Sequence, residues 1–207
     1  MFMDTTNNKS IIPIFPLGIV VLPGEHQKLH IFEPRYQQLM KDIRKKGCQF
    51  GIPYTGSSDE VHPYGSLVRV NRITSYNPDN GEMDIIVEGE RTFRTCDILF
   101  MYQDKIYDSA QVVWLDDSKA ESCNELLTEF MEYYHMLSRK YQSVKTPEKF
   151  NDIWTIAKFL PLTEKEKLHF VKLEDPEKRR RFLTNKVKLL KVINMKTHDL
   201  EDRFFFN

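Results

Sequence analysis

Ile12-Pro13-Ile14-Phe15-Pro16-Leu17, Val20-Val21-Leu22-Pro23-Gly24 and Leu29-His30-Ile31-Phe32-Glu33-Pro34-Arg35-Tyr36 follow one another near the start of the chain and decide how the rest is read. Each proline pushes the residue before it toward extended backbone, so the 12–17 segment is extended. Pro23-Gly24 is a turn. Leu29 to Phe32 is a short strand. Pro34 then opens a helix, because a missing N–H costs nothing at the first helical position. Tyr36, Leu39, Met40 and Ile43 recur at helical spacing and predict one buried face. Gly47 suits the C-terminal end of that helix.

Outward from this stretch, Phe50 to Tyr54, Gly65 to Val70, Met83 to Gly89, Arg91 to Arg94 and Ala110 to Leu115 read as strands. Asn77-Pro78-Asp79-Asn80-Gly81 is a dense turn signal. All eight glycines fall before residue 90, so turns concentrate there. Short strands separated by Gly/Pro turns predict a barrel or sandwich. From Asp116 onward the pattern is helical. Cys123, Leu126, Leu127, Phe130, Tyr134, Leu137 and Tyr141 follow helical periodicity. Pro147 is expected to start a second helix with Phe150, Ile153, Trp154, Ala157 and Leu160 inward. Thr163-Glu164-Lys165-Glu166 is a capping box for a third. Asp175-Pro176 opens a fourth, with Phe182, Leu183, Lys186, Leu190 and Ile193 inward.

The chain of 207 residues is enough for one large domain or two small ones. Thirty basic and 30 acidic residues cancel, which argues against a surface built for a nucleic-acid backbone or an anionic membrane. Three scattered cysteines form no C-x-x-C pair or disulfide framework, which favours a reducing compartment. The six histidines show no metal-ligand spacing, and no metal or cofactor is expected. The apolar run from Ile11 to Leu22 is broken by Pro13 and Pro16. It therefore reads as neither leader nor membrane span, and a cytoplasmic protein is expected.

The opening stretch closely resembles the N-terminal, substrate-binding domain of Lon proteases. The resemblance continues through Tyr64-Gly65-Ser66-Leu67-Val68-Arg69-Val70, Asp84 to Arg94, and Ile156-Ala157-Lys158-Phe159-Leu160-Pro161-Leu162 with the residues to Leu183, and covers roughly residues 11 to 195. It implies an α+β fold: a PUA-like antiparallel pseudo-barrel followed by a helical bundle. The expected divisions are a barrel subdomain at 11–115, a helical subdomain at 116–196 and an aromatic tail at 197–207. It also implies recognition of unfolded or client proteins, or of a protease component, with this chain as a non-catalytic adaptor for proteolysis. A Lon protease needs a Walker A loop and a Ser-Lys dyad. Here Gly51-Ile52-Pro53-Tyr54-Thr55-Gly56-Ser57-Ser58 has the glycine spacing but no phosphate-binding lysine, and reads as a plain loop. A chain of this length is expected to hold no motor or protease module, hence no catalytic residues.

Several residues admit two readings. The 21–28 loop, with Pro23, Gly24, Glu25, His26 and Lys28, is expected at the surface and is the first candidate partner edge. Glu33 and Arg35 either contact a peptide or cap and tether the helix at Pro34. Phe15, Leu22, Leu29, Ile31 and Phe32 are expected in the core rather than in an exposed groove. His30 is expected to be structural, and Trp114 and Trp154 to be core residues. Residues 163–196 hold 11 basic and five acidic residues, including Lys178-Arg179-Arg180-Arg181. This run reads as a solvated helix face, with a PUA-type RNA-binding module as the alternative function. Residues 1–115 hold 12 basic and 14 acidic residues, so the barrel is not basic. Phe204-Phe205-Phe206 either docks on a partner or folds back on the chain's own helices. An enzyme with a barrel cleft is a further rival and would require convergent titratable groups.

Overall fold

Prolines and glycines mark several of the element boundaries, such as the helix starts at Pro34 and Pro176, in the computed structural model. It describes residues 9–44, 47–56, 60–115, 124–140 and 152–205, with side-chain positions for all of these except 140 and 196–205. The elements in order are β1 (Lys9–Pro13), β2 (His26–Ile31), α1 (Pro34–Ile43), β3 (Gln49–Thr55), β4 (Val61–Tyr76), β5 (Met83–Leu99), a 3₁₀ turn (Tyr102–Asp104), β6 (Ser109–Trp114), α2 (Asn124–Lys140), α3 (Ile153–Phe159), α4 (Glu164–Lys172) and α5 (Pro176–Phe205).

The six strands form one antiparallel sheet in the order β1-β6-β5-β4-β3, with β2 also on β5. The pieces expected at 83–89 and 91–94 are a single 17-residue strand, β5. Its first part pairs with β2 and its last part with β6, while β4 runs along its other side. Gly89 lies at the changeover. Its N–H donates to the Glu25 carbonyl and its carbonyl accepts from the Gly24 N–H. A Cβ there would stand 2.2 Å from the Leu22 carbonyl oxygen, so only glycine fits this approach. Residues 14–17 leave β1 and run parallel to β3. The Phe15 N–H donates to the Gly51 carbonyl, and the Thr55 N–H to the Leu17 carbonyl. The two edges of the sheet are thereby bridged. The strand expected at Phe50 to Tyr54 is β3, which also takes in Gly51 to Thr55 of the stretch read as a loop up to Ser58.

Helix α1 buries Tyr36, Leu39, Met40 and Ile43, the face its spacing predicted. These side chains pack with Phe15, Ile31, Phe50, Ile52, Ile85 and Val87 in the main core. The Phe15 and Tyr36 rings lie 3.7 Å apart, centroid to centroid. Full burial of each such side chain contributes about 2 kcal/mol. A second cluster holds Ile14, Leu67, Phe93, Ala110 and Val112. Phe32 departs from the expected core and is 58% exposed.

Contacts divide the chain into two compact units. One comprises the described residues of Met1–Asp117 with Leu162–Lys172, the other those of Ser118–Pro161 and Leu173–Asn207. Helix α4 therefore groups with the strands. Its capping box forms as the sequence indicated: the Thr163 N–H donates to Glu166 Oε2, and the Glu166 N–H to Thr163 Oγ1.

In the other unit, α2 packs on α5. Helix α3 starts at Ile153, where the Asp152 carboxylate accepts from the Thr155 N–H. Pro147 and Phe150 lie outside the described residues. Helix α5 buries Leu183 and Val187, whereas Ile193, expected inward, is half exposed. The segment from 197 is a continuation of α5 as far as Phe205 rather than a separate tail.

Candidate functional site

The 21–28 loop is less open than its turn residues suggest. Val21 and Leu22 are buried, and Pro23, Gly24 and Glu25 are half-buried. The backbone explains this. The Val20 N–H donates to Glu164 Oε2 at 2.6 Å, and the Leu22 N–H to Glu25 Oε2 at 2.9 Å. Lys167 of α4 sits between these carboxylates, 2.6 Å from Glu25 and 3.4 Å from Glu164. Glu25 is thus committed to the buried Leu22 amide and to Lys167, since a buried N–H left without an acceptor is costly. His26 and Lys28 do face solvent, on the outer side of β2. There His30, expected to be structural in an apolar strand, is also exposed. It bonds Asp84 at 2.8 Å and stacks on Phe32. His30 and Lys28 hold the Asp84 carboxyl below the usual carboxylate range, because both hydrogen-bond its charged form.

Glu33 occupies the N-cap position of α1, but its carboxylate makes no capping bond. It instead accepts from Arg35 at 2.9 Å, and the Arg35 guanidinium lies 4.6 Å from the Tyr36 ring centre. The pair therefore binds itself on the surface, and among the described residues Arg35 makes no ion pair that tethers α1 to the sheet. Burial raises the pKa of the Tyr36 hydroxyl.

The basic run is not one solvated face. Arg179 is 2% exposed, with its guanidinium 4.8 Å from the Trp154 ring centre. Arg180 pairs with Glu177 at 2.7 Å. Further along α5, Lys188 pairs with Glu125, and Lys191 with Glu129 and Glu132, all on α2. Much of the local positive excess is thereby neutralised within its own unit. Trp154 is buried. Trp114 is half-buried, with its indole N–H donating to Ser10 Oγ at 3.1 Å. Phe204 and Phe205 lie in the last turn of α5, and Phe206 lies outside the described residues.

The site that sequence reasoning missed is an apolar groove of about 270 Å³ between the C-terminal half of α1 and the β4–β5 hairpin. Met40 and Ile43 form one wall, and Met83 and Ile85 the floor. Val70, Ile73 and Tyr76 form the other wall, with Lys41, Arg44 and Cys48 at the rim. Ile73 is 44% and Tyr76 55% exposed. An alternating strand would not place residues three apart on one side. Here the register with β5 shifts between Val70 and Arg72 and again between Ile73 and Ser75, and each bulge re-aims the next side chain. The hairpin tip is held to α1 by Gln37, whose amide nitrogen donates to the Asn80 carbonyl at 3.1 Å. Gly81 follows at φ +76°, the left-handed geometry that the turn signal anticipated. The groove has an apolar lining and few convergent polar groups, so it is suited to binding side chains rather than to acid–base or nucleophilic chemistry. Among the described residues, no three His, Cys, Asp or Glu side chains come together to hold a metal. Also among them, no helix is long and apolar enough to cross a membrane.

A mixed α+β chain with a six-stranded antiparallel sheet, helix α1 packed in its core and further helices after it defines the structural class. The model of the ATP-dependent protease La (LON) substrate-binding domain matches residues 11–188, and the chain belongs to this family. Among solved structures it is similar to a Lon N-terminal domain protein from Xanthomonas campestris, with 26% identity and a TM-score of 0.66 over 84% of this chain and 96% of that one. It also shares the fold of the N-terminal domain of a Mycobacterium avium complex Lon protease, at 16% identity and a TM-score of 0.60 over 86% and 98% of the two chains. No curated protein matches the chain.

Proposed function

We propose that this protein is a non-catalytic client-binding adaptor of the cytoplasm that captures apolar segments of unfolded proteins for proteolysis. The observation that carries this reading is the exposed apolar groove between α1 and the β4–β5 hairpin, in a chain of the LON substrate-binding family. Exposed contiguous apolar surface is unfavourable in water and marks a binding surface. Unfolded chains differ from folded ones in offering apolar side chains to fill it. The paired lysines and arginines of α5 leave less free positive charge for phosphates than the sequence suggested, which weighs against RNA.

The test is binding of a reduced, alkylated model protein and of its native form to the full chain, followed by fluorescence anisotropy. Selective capture of the unfolded form, weakened about tenfold by Ile73→Asp, is expected. Equal binding of both forms, or no binding of either, overturns the reading.

A further inference from the structure

We infer that the groove accepts its client segment as an extended strand added to the free edge of β4, with apolar side chains in the cleft and a client carboxylate facing Lys41 and Arg44. This rests on the client-binding reading above and specifies the chemistry of the segment chosen.

The first observation is the strand edge. Strand β3 pairs with β4 only as far as Gln49 opposite Arg69, and the last bond on that side runs from the Val70 N–H to the Cys48 carbonyl. Beyond it, among the described residues, Asn71 to Tyr76 pair with β5 alone. All six are exposed. Such an edge offers N–H and C=O groups to an extended peptide, which adds to a sheet by main-chain bonds and gains specificity from side-chain pockets. The groove lies along this segment, since Val70, Ile73 and Tyr76 belong to it. The two bulges interrupt the ladder. They restrict the edge to short partners that also fill the cleft, and so protect it from indiscriminate pairing.

The second observation is charge. Lys41 and Arg44, in and just after the last turn of α1, line the rim, and neither has an ion-pair partner among the described residues. The nearby carboxylate of Asp42 is already engaged by Lys105 at 3.0 Å and by the Tyr107 hydroxyl at 2.9 Å. An occupant carrying Asp or Glu beside its apolar residues is complementary to this rim, whereas Lys or Arg at the same place is repelled.

The experiment measures anisotropy of short labelled peptides with one apolar core, flanked by Asp/Glu or by Lys/Arg, on the full chain. The acidic-flanked peptide is expected to bind about tenfold more tightly, with the gap narrowing as salt is added. The exposed-site variant Lys41→Glu/Arg44→Glu is expected to reverse the preference. N-methylation of alternate peptide amides in the core, which removes main-chain donors, is expected to weaken binding about tenfold. Equal affinity for both flanks, no reversal in the charge variant, or indifference to N-methylation overturns the inference. If the unfolded model protein still binds selectively, the client-binding reading survives that failure. If neither peptide nor unfolded protein binds, both fall.

Discussion

Two regions of the strand-bearing unit look alike in composition but differ in kind. The 20–25 loop is rich in turn residues and carries Glu25, yet its polar groups are occupied inside the fold by buried amides and by Lys167. The β4–β5 hairpin beside α1 carries apolar Ile73 and Tyr76, yet leaves them open. Turn chemistry reports where the backbone reverses. It does not report whether the reversal is covered by a helix 142 residues away in sequence. Free surface is set by which backbone groups still need a partner after the chain has folded, and that is a tertiary property.

The contrast can be broken most severely at Gly89. Gly89→Ala forces a Cβ against the Leu22 carbonyl, and a loss of about 3 kcal/mol is expected in urea unfolding. A loss below about 0.5 kcal/mol would show that the loop is not pinned there. Lys167→Met leaves Glu25 and Glu164 facing each other across the loop. It is expected to cost about 2 kcal/mol, partly restored by adding Glu25→Gln. On the open side, Ile73→Asp is expected to change stability by no more than about 0.5 kcal/mol while weakening client binding, a separation of effects that no pinned residue should show. The smallest effect concerns Asp84. Its folded-state pKa lies below the usual carboxylate value, so its contribution is complete above the ordinary carboxylate range and is lost as pH falls through that lowered value. Asp84→Asn should therefore lower stability slightly at neutral pH, flatten the acid limb of the profile and leave stability at the acid end almost unchanged. A steeper acid limb in the variant would reverse this assignment.

Local signals were legible where local physics decides the outcome. The buried face of α1, the Thr163 to Glu166 capping box and the turn ending at Gly81 all depend on residues within a few positions of one another. The groove was not legible because it depends on two bulges in β4, and nothing in Val70 to Tyr76 marks where an extra residue will be inserted. Phe32 ends an apolar run and was read with it, but it lies just beyond β2 and outside the core. Arg179 belongs to a charge run whose neighbours face solvent. Its burial depends on tertiary neighbours such as Trp154, on a different helix, which lie far from it in sequence.

Helix α4 has a consequence for biosynthesis. A ribosome delivers the chain from its N-terminus, and the amide of Val20 emerges long before Glu164, the carboxylate that accepts its hydrogen bond. Strand β1 likewise waits for β6, with Lys9 opposite Val113. Contacts so distant in sequence close late. The nascent protein must therefore keep its first strand hydrated until β6 has emerged and the 20–25 loop hydrated until α4 has emerged, so a protein proposed to capture unfolded chains passes through its own synthesis as one.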